Sequence, residues 1–131
     1  MNFKSPISDS EWEVMKIIWK NKNISANEII KELEDLSTWK PKTIKTLLNR
    51  LLKKEVIGFK KEGRTYLYYP LLEEKECIKA ENKSFLKKIY GGVLNTMFVN
   101  FLEDYDLTDE DIKELKQILE KKEKYKGDKN Q

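Results

Sequence analysis

The chain has no histidine and only one cysteine, Cys77. A single cysteine excludes an intramolecular disulfide and fits a reducing cytoplasm. Without histidine it supplies neither a Cys–His nucleophile pair nor a ready zinc site. Cys77 is therefore expected to be a small packing residue. There is no phosphate-binding loop or metal-ligand cluster either, so no enzyme, no cofactor and no metal is expected. No apolar run approaches the roughly 20 residues that cross a bilayer, and the N-terminal stretch has no signal-peptide h-region. The expectation is a soluble cytoplasmic protein.

Acidic residues are also scarce, but only locally. The 131 residues carry 26 Lys+Arg against 23 Asp+Glu, a net charge of +3. Residues 1–70 hold 14 basic and 9 acidic residues, and residues 71–131 hold 12 and 14. From 40 to 64 the count is 9 against 2. Charge concentrated this way is the footprint of a nucleic-acid binder. Hydrophobic residues make up 39% of the chain, which gives a thin core for a monomer of two small lobes. Burial of apolar surface in a dimer is the expected remedy.

Three helix starts share one device. Ser8-Asp9-Ser10-Glu11 and Ser25-Ala26-Asn27-Glu28 are capping boxes, with Ile7/Trp12 and Ile24/Ile29 as hydrophobic staples. Thr108-Asp109-Glu110-Asp111 is a third start, with Leu107 and Ile112 in the staple positions. Its N3 residue is Asp rather than Glu, so only cap and staple are expected to match. Helix one is expected over about Asp9 to Lys20, with Trp12, Met15, Ile18 and Trp19 inward. Helix two follows over about Ala26 to Leu36, with Ile29, Ile30 and Leu33 inward.

Residues 40–54 hold the most informative pattern. Ile44, Leu47, Leu48 and Leu51 fall at i, i+3, i+4, i+7, one helical stripe. Lys42, Thr43, Lys45, Thr46, Asn49, Arg50 and Lys53 fall elsewhere on the helix, and they are donors suited to phosphates and base edges. Pro41 suits the first helical position. Lys40 is a poor N-cap. Ser37 or Thr38 supplies the oxygen instead, or the helix end rests on packing by Trp39. By itself this helix reads equally as a solvated basic surface or as a groove reader.

The period then changes to two. Ile57, Phe59 and Lys61 alternate with Gly58 and Lys60, and Glu62-Gly63 makes a tight turn. Arg64, Tyr66 and Tyr68 then alternate with Thr65, Leu67 and Tyr69 up to Pro70. This is a two-stranded hairpin with Lys60, Lys61 and Arg64 near its tip. Three helices followed by a basic hairpin describe a winged helix-turn-helix over residues 1–70, and this context favours the groove reader. Tyr66, Tyr68 and Tyr69 are expected to pack the wing onto the helices.

From Glu73 the helical period returns. Ile78, Phe85, Leu86, Ile89 and Tyr90 mark one helix, interrupted by Gly91-Gly92. Val93, Leu94, Met97, Phe98, Phe101 and Leu102 form a broad apolar face on the next. A last helix, about Asp109 to Lys124, carries Ile112, Leu115, Ile118 and Leu119, with Gly127 onward frayed. Short helices with faces this broad cannot bury them alone. Residues 71–131 are therefore expected to form a helical dimerisation domain of a symmetric homodimer. Its contact residues would be Phe85, Ile89, Val93, Leu94, Met97, Phe98, Phe101, Ile112, Leu115 and Leu119. The fold class is mainly α with a small β-hairpin. Two-fold symmetry predicts a palindromic double-stranded operator.

Several segments in order resemble the penicillinase repressor family, the BlaI/MecI-type regulators of β-lactam resistance. They are Glu11-Trp12-Glu13-Val14-Met15 with Ile17-Ile18-Trp19, then Ser25-Ala26-Asn27-Glu28-Ile29 and Pro41-Lys42-Thr43-Ile44-Lys45-Thr46-Leu47. Ile89-Tyr90-Gly91-Gly92 and Val99-Asn100-Phe101 follow. The resemblance implies a dimeric repressor of β-lactamase or altered penicillin-binding-protein genes. It matches the family's recognition helix at Lys42, Thr43, Thr46 and Arg50. Lys45 stands where the family usually has Arg, and Asn49 where it usually has Thr. Lysine lacks arginine's bidentate fork on guanine, so operator preference is open while phosphate anchoring remains. The resemblance also implies cleavage at Asn100–Phe101 by a membrane sensor-transducer metalloprotease. The alternatives are a family member controlling another operon without protease-linked induction, and a winged-helix interaction module that binds no DNA. A related copper-responsive branch uses C-terminal cysteines, and none occurs after Cys77.

Overall fold

A computed structural model of the chain describes residues 7–129. Six helices and three short strands follow in the order α1 (Asp9–Asn21), β1 (Ile24–Ser25), α2 (Ala26–Glu34), α3 (Pro41–Lys53), β2 (Ile57–Glu62), β3 (Thr65–Pro70), α4 (Glu74–Tyr90), α5 (Leu94–Asp104) and α6 (Asp109–Lys129). The chain divides into two compact units between Ser84 and Phe85. The expected boundary after residue 70 lies short of this, because half-buried Leu72 and fully buried Cys77 pack into the core of the first unit.

That core follows from the capped amphipathic helices. Ser8 accepts from the Glu11 amide at 3.2 Å while the Glu11 carboxylate accepts from the Ser8 amide at 2.9 Å. Ser25 and Glu28 repeat the box at 3.2 and 3.3 Å. Met15 and Ile18 of α1, Ile29, Ile30 and Leu33 of α2, and Ile44, Leu47, Leu48 and Leu51 of α3 meet in one cluster. Val14 and Ile17 join it from α1, so the buried face of that helix is wider than the stripe read from sequence. Ile7 is buried with Trp12 packed against the cluster, as the staple requires. Trp19 donates its indole N–H to the Leu72 carbonyl at 2.9 Å, and Trp12 meets Trp19 edge to face at 5.4 Å.

Several local expectations are corrected. The hairpin is part of a three-stranded antiparallel sheet of order β1-β3-β2. Ile24 pairs with Tyr68 and Ser25 with Leu67, a strand too short to leave a period in the sequence. Glu62 pairs with Thr65, so the two-residue turn is Gly63-Arg64 rather than Glu62-Gly63. Gly63 takes φ +65 at the first turn position, as a type II′ hairpin demands. Helix α2 ends at Glu34, leaving Leu36 exposed beyond it. At the start of α3 no side chain caps the helix: Ser37 instead donates to the Leu33 carbonyl and accepts from the Trp39 amide. Of the three alternatives, that leaves packing by half-buried Trp39. Asp111 does complete a reciprocal box with Thr108, at 3.0 and 3.1 Å, despite its shorter side chain. Helix α6 continues through Gly127 to Lys129.

In the second unit, α4 ends at Gly91 and Gly92, both at positive φ. Phe101 lies at the centre of an aromatic group, with Phe85, Tyr90 and Tyr105 at ring distances of 6.4, 6.4 and 6.2 Å. None of the described residues of this unit is buried.

Candidate nucleic-acid interface

Helix α3 separates its two kinds of residue cleanly. Ile44, Leu47, Leu48 and Leu51 are at most 3% exposed, whereas Lys42, Thr43, Lys45, Thr46, Asn49, Arg50 and Lys53 are all exposed. The Thr46 hydroxyl donates to the Lys42 carbonyl at 3.0 Å, which turns its hydrogen into the helix and leaves its oxygen as an acceptor. The wing adds Lys60, Lys61 and Arg64, also exposed. Lys61 places its ammonium 6.0 Å from the centre of the Tyr66 ring.

These cations are not neutralised. Among the described residues the ion pairs are Lys16–Glu13, Lys20–Glu32 and Lys54–Glu11, none involving the basic residues of the α3 face or the wing tip. An unpaired cation on a rigid helix attracts phosphate without first giving up a protein partner, and each such contact releases a condensed counterion. The face therefore has the chemistry of a polyanion-binding surface.

Two features escaped the sequence reading. Glu11 is a charged side chain only 1% exposed. Its carboxylate takes Lys54, the C-cap of α3, in addition to the Ser8 amide. Burial alone would raise this carboxyl; the Lys54 hydrogen bond and charge and the Ser8 bonds outweigh it and hold the group below the ordinary carboxylate value. The capping motif identifies Glu11, but no local pattern joins residues 43 positions apart. The wing tyrosines also differ from expectation. Tyr68 packs against the core, but Tyr66 is 45% exposed and stands edge to face with exposed Phe59 at 5.1 Å. Tyr69 lies on the opposite face of the wing, over Gly58, where an added Cβ would sit 2.8 Å from the ring end.

The other predicted residues fall in the second unit. Asn100 and Phe101 lie inside α5, Asn100 exposed and Phe101 39% exposed. Phe85, Ile89, Val93, Leu94, Phe98, Ile112, Leu115 and Leu119 are between 40% and 64% exposed, and Met97 is half-buried. Cys77 is buried in the first unit, where burial and then the charges of Glu76 and Glu74 push its thiol up to about 11, leaving it protonated and inert at neutral pH. No helix among the described residues is long and apolar enough to cross a membrane.

Three helices and a basic-tipped wing on a three-stranded sheet define a winged-helix protein. A family model described as penicillinase repressor matches residues 7–121, and the chain belongs to that family. The penicillinase repressor of Bacillus licheniformis is 53% identical over 114 residues, covering 87% of this chain and 89% of that protein. The methicillin resistance regulatory protein MecI of Staphylococcus aureus (strain N315) is 47% identical over 116 residues, covering 88% and 94%. The solution structure of the DNA-binding domain of the repressor BlaI aligns at TM-score 0.50 with 54% identity, over 53% of this chain and 85% of that one. Bacillus licheniformis BlaI, in monomeric form in complex with the blaP half-operator, aligns at TM-score 0.50 with 53% identity, over 55% and 88%.

Proposed function

We propose that this chain is a cytoplasmic, dimeric repressor that binds a palindromic DNA operator through α3 and the wing. The observation that carries this reading is the exposed face of α3. Its basic side chains are free of ion pairs, and it is fixed from behind by four buried aliphatic residues. The likeness of the same unit to a BlaI domain solved on a half-operator supports it. Lys42, Lys45, Arg50, Lys53, Lys60, Lys61 and Arg64 anchor phosphates, with Thr43, Thr46 and Asn49 toward the base edges. The exposed apolar residues of α4, α5 and α6 pair with those of a second copy, which sets two recognition helices on one duplex. Cleavage at Asn100–Phe101 by a membrane sensor-transducer metalloprotease releases the repressor by removing α6 and the end of α5 from that pairing. Asn100 sits within a helix, so the cut follows local opening of α5.

The test is a salt titration of operator binding by the full chain and by the Lys45→Ala/Arg50→Ala variant. The slope of log K against log salt should flatten by about 0.9 for each phosphate that the variant no longer neutralises. Unchanged affinity and slope would remove α3 from the interface.

A further inference from the structure

The Glu11–Lys54 pair has a consequence beyond stability. Lys54 keeps partial contact with solvent while Glu11 is buried, and the desolvation of Glu11 offsets part of the gain from the pair. Glu11 is 1% exposed in the first turn of α1. Its place there is fixed twice over. Its amide donates to Ser8 and its carboxylate accepts from Ser8, so the group is locked to the first turn of α1. Lys54 closes on the same oxygen from the last turn of α3, one residue after Lys53 and four after Arg50.

The buried side chains that α1 and α3 bring to the shared cluster are apolar. Apolar packing selects which face of a helix turns inward, but it is non-directional, whereas a charged hydrogen bond is short and directional. We infer that Glu11 is a positioning residue for DNA recognition: by holding Lys54 it fixes the C-terminal end of α3 against α1, and so sets where Asn49 meets the base edges. This rests on the DNA-binding reading above. Base-edge contacts need their side chains correctly placed, while phosphate attraction tolerates displacement. Loss of the pair should therefore cost sequence discrimination more than affinity.

The experiment uses full-length protein and two duplexes: one that the wild-type chain selects from a random-sequence pool, and a scrambled duplex of the same composition. In Glu11→Gln the selected-to-scrambled affinity ratio should fall by about tenfold, near the cost of a single mismatched base pair. Affinity for the scrambled duplex and the salt slope should stay at wild-type values. Lys54→Met, which leaves the α1 capping box intact, should lose the same discrimination, and Lys54→Arg should keep it. A ratio that does not change, or an equal loss on both duplexes, would overturn the positioning role. If the wild-type chain selects no duplex, the DNA-binding reading fails instead. Residual dipolar couplings then decide the positioning role alone: the α3 axis turns relative to α1 in Glu11→Gln and Lys54→Met if it holds, and stays put if it does not.

Discussion

Glu55 is the residue whose replacement should most simply stabilise the recognition helix. Helix α3 closes with Glu55 donating to the Leu52 carbonyl and Val56 to the Leu51 carbonyl, both at 3.1 Å. This is a Schellman closure, with Leu51 and Val56, the residues its apolar contact would join, both buried in the core cluster. The residue between them must be left-handed, and Glu55 takes φ +59 where glycine is usual. A left-handed L-residue costs about 1–2 kcal/mol, and glycine's larger loss of freedom on folding returns about 0.5–1 of that. Through the backbone alone, Glu55→Gly should therefore stabilise the first unit by about 0.5–1 kcal/mol, raising Tm by about 2–8 °C for a domain of this size. The substitution also removes an acid from the negative end of a helix, worth about 0.3–1 kcal/mol. Glu55→Ala removes the acid and keeps the strain, so the difference between the two variants isolates the backbone contribution. Tryptophan fluorescence reads this unit selectively, since Trp12, Trp19 and Trp39 all precede Ser84. Equal Tm shifts for Gly and Ala would refute the strain argument.

Two further outcomes follow from the same structure. The Glu11 carboxyl is held below its ordinary value in the folded state; its contribution is therefore present above the unfolded value and lost as pH falls through the depressed one. Urea midpoints measured from neutral pH down through the carboxylate range should fall more steeply for wild type than for Glu11→Gln, and parallel curves would contradict the pairing. Phe98→Asp puts a charge on a face that, on the dimer reading, is buried between copies. Light scattering should then give a monomer with its tryptophan-monitored unfolding unchanged, whereas a persisting dimer would place the interface elsewhere.

The strongest periodicities carried most of the fold. The stripe of Ile44, Leu47, Leu48 and Leu51 and the serine–glutamate boxes of α1 and α2 are local patterns, and local patterns survive into structure when tertiary packing agrees with them. What escaped was non-local or too short. β1 is two residues long and its first, Ile24, doubles as a staple, so its pairing with Tyr68 left no separate mark. The helix-ending conformation at Glu55 goes with the closing hydrogen bonds from Glu55 and Val56 and the burial of Val56, in a sequence that lacks the usual glycine there. The ion pair between Glu11 and Lys54 exists only once α1 and α3 have docked. Of the candidate interface, the residues that face outward were legible from helical spacing. The residue that holds their helix in place was not.

The two units also differ in what stabilises them. In the first, one aliphatic cluster joins α1, α2, α3 and the sheet, so the geometry of the basic face is a property of a single chain. In the second no described residue is buried, although α5 and α6 expose Leu94, Phe98, Val99, Leu102, Ile118 and Leu119 at 46% or more. Order in that unit is therefore tied to whatever covers this face, and for a second copy it becomes concentration-dependent. On the proposed dimer reading, the affinity of one recognition helix for a half-site would be fixed by folding. Gain from the second half-site is an effective-concentration effect, available only while the two copies stay joined. On the proposed cleavage reading, an event that opens α5 need not touch the DNA-binding face to abolish repression: it would return each copy to the weaker affinity of a single half-site.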